Sequence, residues 1–134
     1  MVQVPVTLAS AASFTLLNIW LGGRIAALRK ELRVSVGDGG QEPLLRRMRA
    51  QANFIENAPF VLILLGGLEL SGASRAGLAA IALIFIFARI LHPIGMDGGE
   101  RQRFRMFGMM GSSFATLALV LWAIARVIIE ALGR

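Results

Sequence analysis

Apolar residues in this chain come in blocks rather than in alternation, and the blocks have membrane length. Residues 2–23 and 106–125 carry no charged side chain. Each is close to the ~20 residues needed to cross ~30 Å of hydrocarbon. Residues 76–88 form a shorter apolar run that continues through Ile90 and Leu91 past a single Arg89. The run 57–68 is too short alone and spans only if Asn53 and Glu56 lie inside the membrane region. The pattern predicts four transmembrane helices over 4–32, 43–70, 75–95 and 104–131, an all-α integral membrane four-helix bundle in a single domain over 1–134. The first block has no basic segment before it and a basic one, 24–33, directly after it, so it reads as a retained helix and not as a cleaved signal.

Punctuation between the blocks agrees with this division. The first loop contains Gly37-Asp38-Gly39-Gly40, and Pro43 suits the first position of a helix. The third loop repeats the turn signal as Asp97-Gly98-Gly99, and Ser71-Gly72 marks a short loop between. Pro59 leaves the carbonyl of Ile55 without its donor, which predicts a kink beyond Glu56. Asn18 in the first helix reads as polar glue between helices.

Composition changes the picture mainly by what it removes. Of 134 residues, 56% are hydrophobic, and mean hydropathy is +0.68, more apolar than a soluble domain of this size tolerates. No cysteine is present, so thiol chemistry would have to come from a ligand. No metal-ligand spacing, carboxylate pair or phosphate-cradling glycine loop occurs. The net charge of +6 would suit nucleic acid, but its placement argues otherwise. Arg24, Arg29, Lys30, Arg33, Arg46, Arg47 and Arg49 surround the first loop, and Arg89, Arg101, Arg103 and Arg105 the third. Only Arg75, Arg126 and Arg134 fall towards the other side. The positive-inside rule then places both basic loops in the cytoplasm and both termini outside, with anionic membrane lipids as an adequate partner for the charge and no nucleic acid.

One polar stripe stands out. On a helix, Arg46, Arg49, Asn53 and Glu56 fall at i, i+3, i+7 and i+10, along one face. Arg89, His92 and Met96 share a face of the third helix, and Arg105, Ser112 and Thr116 one of the fourth. Charged side chains in a membrane helix are costly, so they either pair internally or serve a ligand. In the first reading Glu56 pairs with Arg49 or Arg89 and fixes helix packing. In the second, the arginines converge on a polar ligand. One carboxylate cannot neutralise them all, and the guanidinium fork suits carboxylates and phosphates. His92, taken alone, is more often an interfacial hydrogen-bonding residue than an acid–base catalyst. Met106, Met109 and Met110 read as a packed or lipid-facing surface.

The segment Arg49-Ala50-Gln51-Ala52-Asn53-Phe54-Ile55-Glu56-Asn57-Ala58-Pro59, of pattern R-A-Q-x-N-x-x-E-x-x-P, resembles the MAPEG family, membrane-associated proteins in eicosanoid and glutathione metabolism. Phe87-Ala88-Arg89-Ile90-Leu91-His92 falls where members carry an arginine near the end of the third helix, and the Gly-Asp-Gly-Gly loop resembles the bacterial branch. The resemblance implies a homotrimer that binds glutathione between adjacent subunits, in a bacterial inner membrane with periplasmic termini. It implies that Arg49, Asn53, Glu56 and Arg89 hold glutathione, with His92 beside them, and that Arg29 reaches one of its carboxylates. An arginine at the head of the fourth helix activates the thiol in family enzymes. Arg105 fits by spacing from His92, with Arg103 the rival. The implied activity is a glutathione-dependent membrane transferase or peroxidase acting on small hydrophobic electrophiles. A non-catalytic membrane scaffold, or a binder of small anions or lipid head groups, is the alternative from another class. The eicosanoid branch places tyrosines near the thiol. This chain has none, which argues against leukotriene or prostaglandin synthesis.

Overall fold

The computed structural model describes residues 2–133, so Arg134, counted above among the cations opposite the basic loops, lies outside them. Four helices follow one another: α1 (Pro5–Leu32), α2 (Glu42–Leu70), α3 (Arg75–Met96) and, after a 3-10 turn at Gly99–Arg101, α4 (Gln102–Leu132). Every end falls within two residues of the expectation from the apolar blocks. The largest difference is α4, whose axis starts early because Gly98 and Gly99, at φ 87° and 64°, turn the chain straight into the 3-10 lead-in. All four helices are long and apolar enough to cross a membrane.

Pro5 and Pro43 sit at the starts of α1 and α2, where the missing N–H costs nothing. The first turn of α1 has no side-chain cap of its own. Its orphan donors are met from α2 instead. Glu69, with its side chain 1% exposed, accepts from the backbone nitrogens of Val6 (3.0 Å) and Thr7 (2.8 Å) and from the Thr7 hydroxyl (2.8 Å). Arg75 lies 3.7 Å from the same carboxylate. The guanidinium of Arg126 donates to the Ser71 carbonyl at this end of the bundle.

At the basic end, Asp97 receives Arg24 at 2.5 Å and Arg47 at 3.2 Å, joining α1, α2 and the loop after α3. Arg47 also donates to the Arg24 carbonyl at 3.0 Å. Gln51 donates to Asn18 at 3.0 Å, so Asn18 is the interhelical glue its position suggested.

The core is aromatic at the level of the polar stripe. Phe14 meets Phe54 edge-on at 5.9 Å and Phe85 at 5.1 Å. Val61, Leu65, Leu78 and Leu119 fill the space beyond them and are fully buried. Helices α3 and α4 approach most closely. A Cβ added at Gly108 would lie 2.6 Å from the His92 nitrogen and 2.7 Å from the Ala88 carbonyl oxygen. One added at Gly95 would collide with the backbone of Arg105. Two glycines thus set the crossing that brings Arg105 against the end of α3. Helix α4 fully buries only Gly108, Ser112, Ala115 and Leu119, a single stripe that Trp122 and Ala123 continue as partly buried contacts, and much of its remaining apolar surface faces outward.

Candidate functional site

The centre of the site is a buried arginine. Arg89, 5% exposed, donates through Nη1 to Asn53 Oδ1 at 2.6 Å, and its guanidinium lies 5.0 Å from the centre of the Phe85 ring. Phe54, next in sequence to Asn53, packs against Phe14, so the aromatic core anchors both partners. Asn57, one turn on, donates to the Asn53 carbonyl at 2.7 Å. Arg89 Nε is buried with no hydrogen-bond partner.

Arg49 and Glu56 flank Asn53 on α2, and both are exposed. Among the described residues neither makes a hydrogen bond or an ion pair. The internal network of the first reading, with Glu56 paired to Arg49 or Arg89, is therefore not formed within the subunit. Arg89 turns inward, where the neutral Asn53 meets it, while Glu56 points outward. Arg46 also leaves the expected stripe. It pairs with Glu42 at 2.6 Å, an i, i+4 contact on the first turns of α2.

Arg46 and Glu42 line a polar cavity of about 280 Å³ at the basic end, together with Gly98, Gln102 and Arg105. An adjoining apolar groove of about 550 Å³ is lined by Arg103, Arg105, Met106, Met109 and Met110. Arg105 and Arg103 are both exposed. Arg105 lines both spaces, whereas Arg103 lines the groove and stacks over Phe104 at 5.6 Å. The methionines face this groove and not a packed interface within the subunit. Arg29 is half-buried and tied to the first loop through a 3.1 Å hydrogen bond to the Gly37 carbonyl, with its Nε unpartnered. His92 is buried against α4 beside Gly108 and makes no hydrogen bond among the described residues, so the interfacial hydrogen-bonding role is not formed within the subunit. A further cavity, of about 290 Å³, lies between α2, α3 and α4 and contains Arg89, Asn57 and Ser113.

Six of the arginines fall into two groups. Arg24, Arg47 and Arg46 have carboxylate partners in Asp97 and Glu42. Arg49, Arg89 and Arg105 have none among the described residues. Arg49 and the exposed Glu56 lie one turn to either side of Asn53, which meets Arg89, and Arg105 lines the cavity at the basic end; these groups suit a ligand carrying carboxylates and an ammonium. Asp97, Asn57 and Glu69 escaped the sequence reading as interacting groups. The signal for Glu69 was present: an acid in the last turn of a membrane helix opposes the helix dipole and calls for donors from elsewhere.

A sequence model of the MAPEG family matches residues 7–125, from the first turn of α1 into the C-terminal half of α4. The chain belongs to the MAPEG family. It is an integral membrane protein of four spanning helices, and segment 49–59 falls within the matched span. Among MAPEG relatives it is 29% identical over 97 residues to the inner membrane protein YecN of Escherichia coli strain K12, covering 72% of this chain and 73% of that protein. The same figures hold for inner membrane protein YecN of Escherichia coli O6:H1 strain CFT073.

Proposed function

We propose that this MAPEG protein is a glutathione-dependent transferase or peroxidase of a bacterial inner membrane, acting on small hydrophobic electrophiles. The observation that carries the reading is the exposed, unpaired Arg49 and Glu56 on either side of the Asn53–Arg89 pair. A membrane helix that keeps a guanidinium and a carboxylate outward without pairing them needs a counterpart from outside the subunit. Glutathione supplies two carboxylates for arginines and an ammonium for Glu56. A homotrimer would add residues of a second copy, with Arg29 the candidate to reach across, and the relatives' inner-membrane location supports the bacterial membrane.

In this reading Arg105 activates the thiol. A free thiol has a pKa of ~8.5, so bringing it to ~6.5 takes ~2.7 kcal/mol of preferential thiolate stabilisation. A guanidinium at the head of α4, helped by the helix N-terminus, is chemically adequate. The thiol proton leaves to water, and the thiolate sulfur attacks an electrophile presented from the Met106–Met109–Met110 groove. With an aryl halide a C–S bond forms as the carbon–halogen bond breaks and halide leaves. With a hydroperoxide the attack cleaves the O–O bond, the departing oxygen takes a proton from water to leave as an alcohol, and the resulting glutathione sulfenic acid condenses with a second glutathione to disulfide and water.

The test is thermal unfolding in detergent with and without millimolar glutathione or S-hexylglutathione. A ligand bound only by the folded state raises Tm by mass action, so both compounds are expected to raise it, and Arg49→Ala to abolish the rise. No rise with either compound favours the scaffold alternative.

A further inference from the structure

The four helices pack chiefly as two hairpins, α1 on α2 and α3 on α4. Arg29 and Arg49, two of the groups assigned above to glutathione, stand on the first hairpin, and the thiol-activating Arg105 stands on the second. A ligand held by one hairpin and activated by the other depends on the offset between the two at the basic end.

Asp97 sets that offset. Its carboxylate receives Arg24 from α1 at 2.5 Å and Arg47 from α2 at 3.2 Å. Among the described residues no other ion pair joins the hairpins at this end. The clamp is largely shielded from solvent, with the side chains of Arg24, Asp97 and Arg47 only 15%, 26% and 27% exposed. Arg24 also lies over the Trp20 ring, 5.1 Å from its centre, and its Nη1 is buried. Ion pairs held in this way are stiffer and less screened than surface pairs. Next to the clamp, a Cβ added at Gly98 would lie 2.5 Å from Arg46 Nη1. Two successive residues of α2, Arg46 and Arg47, thus bear on two successive residues of the loop after α3.

Packing couples the clamp to Arg105. Gly95 stands two residues before Asp97, and a Cβ there would collide with the backbone of Arg105. Backbones that close move as one body. A shift of Asp97 against α2 is therefore a shift of Arg105 against Arg49. We infer that Asp97 is a positioning residue for Arg105, acting by clamping the α3–α4 hairpin to the basic ends of α1 and α2. The inference rests on the proposed function. Asp97 itself needs no contact with the ligand, since its charge repels both a thiolate and a carboxylate. A misplacement of ~1 Å can cost ~10²-fold in rate, so such a clamp bears on turnover as well as on stability.

The experiment is a pH titration of bound glutathione by thiolate absorbance, with kcat and KM for a model aryl halide, on the full chain in detergent. Direct electrostatics and positioning predict opposite signs. Removing an anion in Asp97→Asn would by itself lower the thiol pKa, whereas an Arg105 moved off the sulfur raises it. The expected result is a rise of about one unit and a kcat about tenfold lower, with KM for glutathione little changed. Asp97→Glu, which restores the charge, should recover most of both. In an Arg105→Ala background Asp97→Asn should cost no further turnover. Glu69→Gln, which loosens the opposite end of the bundle, should lower Tm without moving the pKa. Should Asp97→Asn not fold, Arg47→Lys keeps the charge, loses the guanidinium fork, and should raise the pKa by a smaller amount. A pKa unchanged or lowered in the folded variant, a rise shared by Glu69→Gln, or the full cost of Asp97→Asn retained without Arg105 overturns the inference and leaves the proposed function standing. A wild type whose glutathione thiol titrates at its free value of ~8.5 overturns both.

Discussion

The Asn53–Arg89 hydrogen bond offers a direct measure of how the site is held. Asn53→Ala removes the one hydrogen-bond partner, among the described residues, of a side chain that is 5% exposed. In a soluble protein a hydrogen bond to a charged group contributes ~1.5–3 kcal/mol, and leaving the charge unsatisfied adds to the loss. Two features of the membrane pull the value down. Interhelical hydrogen bonds in lipid average ~0.6 kcal/mol in double-mutant cycles and reach ~1.7, because separated helices also find partners. Arg89 is also only about 10 Å from its helix end, near enough for a released side chain to snorkel towards the head groups. The 2.6 Å length and the charge place this pair towards the upper end of the membrane range. The expected coupling energy is ~1–2 kcal/mol. It is obtained from the cycle of wild type, Asn53→Ala, Arg89→Gln and the double variant, unfolded reversibly in mixed micelles. Asn53→Ala should be more harmful with Arg89 present than with Gln there. A coupling energy indistinguishable from zero, with both single variants stable, would mean that the pair does not orient Arg89, and the reasoning that builds the site around it fails.

Three further outcomes follow from the same geometry. Arg105→Ala should lower turnover with a model aryl halide by ~10- to 100-fold, or ~1.4–2.7 kcal/mol, while Arg49→Ala mainly raises KM. Thiolate absorbance titrated against pH checks the premise, and a depressed thiol pKa lost in Arg103→Ala but kept in Arg105→Ala would move the role. Glu69→Gln keeps the shape but replaces a carboxylate that accepts three hydrogen bonds with an amide that has one acceptor oxygen. A loss of ~1–3 kcal/mol in unfolding free energy is expected, with glutathione affinity unchanged. Gly108→Val should separate α3 from α4, since its Cβ would lie 2.6 Å from the His92 nitrogen. A cost of ~1–3 kcal/mol should register in the same unfolding assay, whereas Gly23→Ala, with nothing within 4 Å of the added carbon, should be neutral or mildly stabilising.

Helix positions were legible because membrane thickness sets a length that apolar blocks either meet or miss, and glycine and proline mark the ends. The α2 stripe was legible in part for a similar reason. Helical periodicity puts Arg49, Asn53 and Glu56 on related faces wherever the helix lies. It does not say which of them faces another helix. Of the two readings of the stripe, the one that paired Glu56 with an arginine is not formed within the subunit; Asn53 meets Arg89, because rotation of α2 against α3 is fixed by Phe54 and Phe85 packing on Phe14. The Arg46–Glu42 pair was visible as an i, i+4 spacing, but the long stripe masked it. Asp97 had the form of a turn residue, and only the folded chain brings Arg24 and Arg47 to it from 73 and 50 positions away.

The Glu69 cap has a consequence for the order in which the protein is made. The donors it satisfies at the start of α1 precede it by 63 and 62 positions. When α1 leaves the ribosome, its opening turn has no partner for Val6 and Thr7. None arrives until the whole of α2 has been synthesised and inserted. Helix α1 is thus completed by the last turn of α2, and the two settle as a hairpin rather than one by one. A nascent chain arrested before residue 69 should carry an α1 whose first turn exchanges its amide hydrogens freely. One arrested after α2 has emerged should protect them, although nothing in α1 itself has changed.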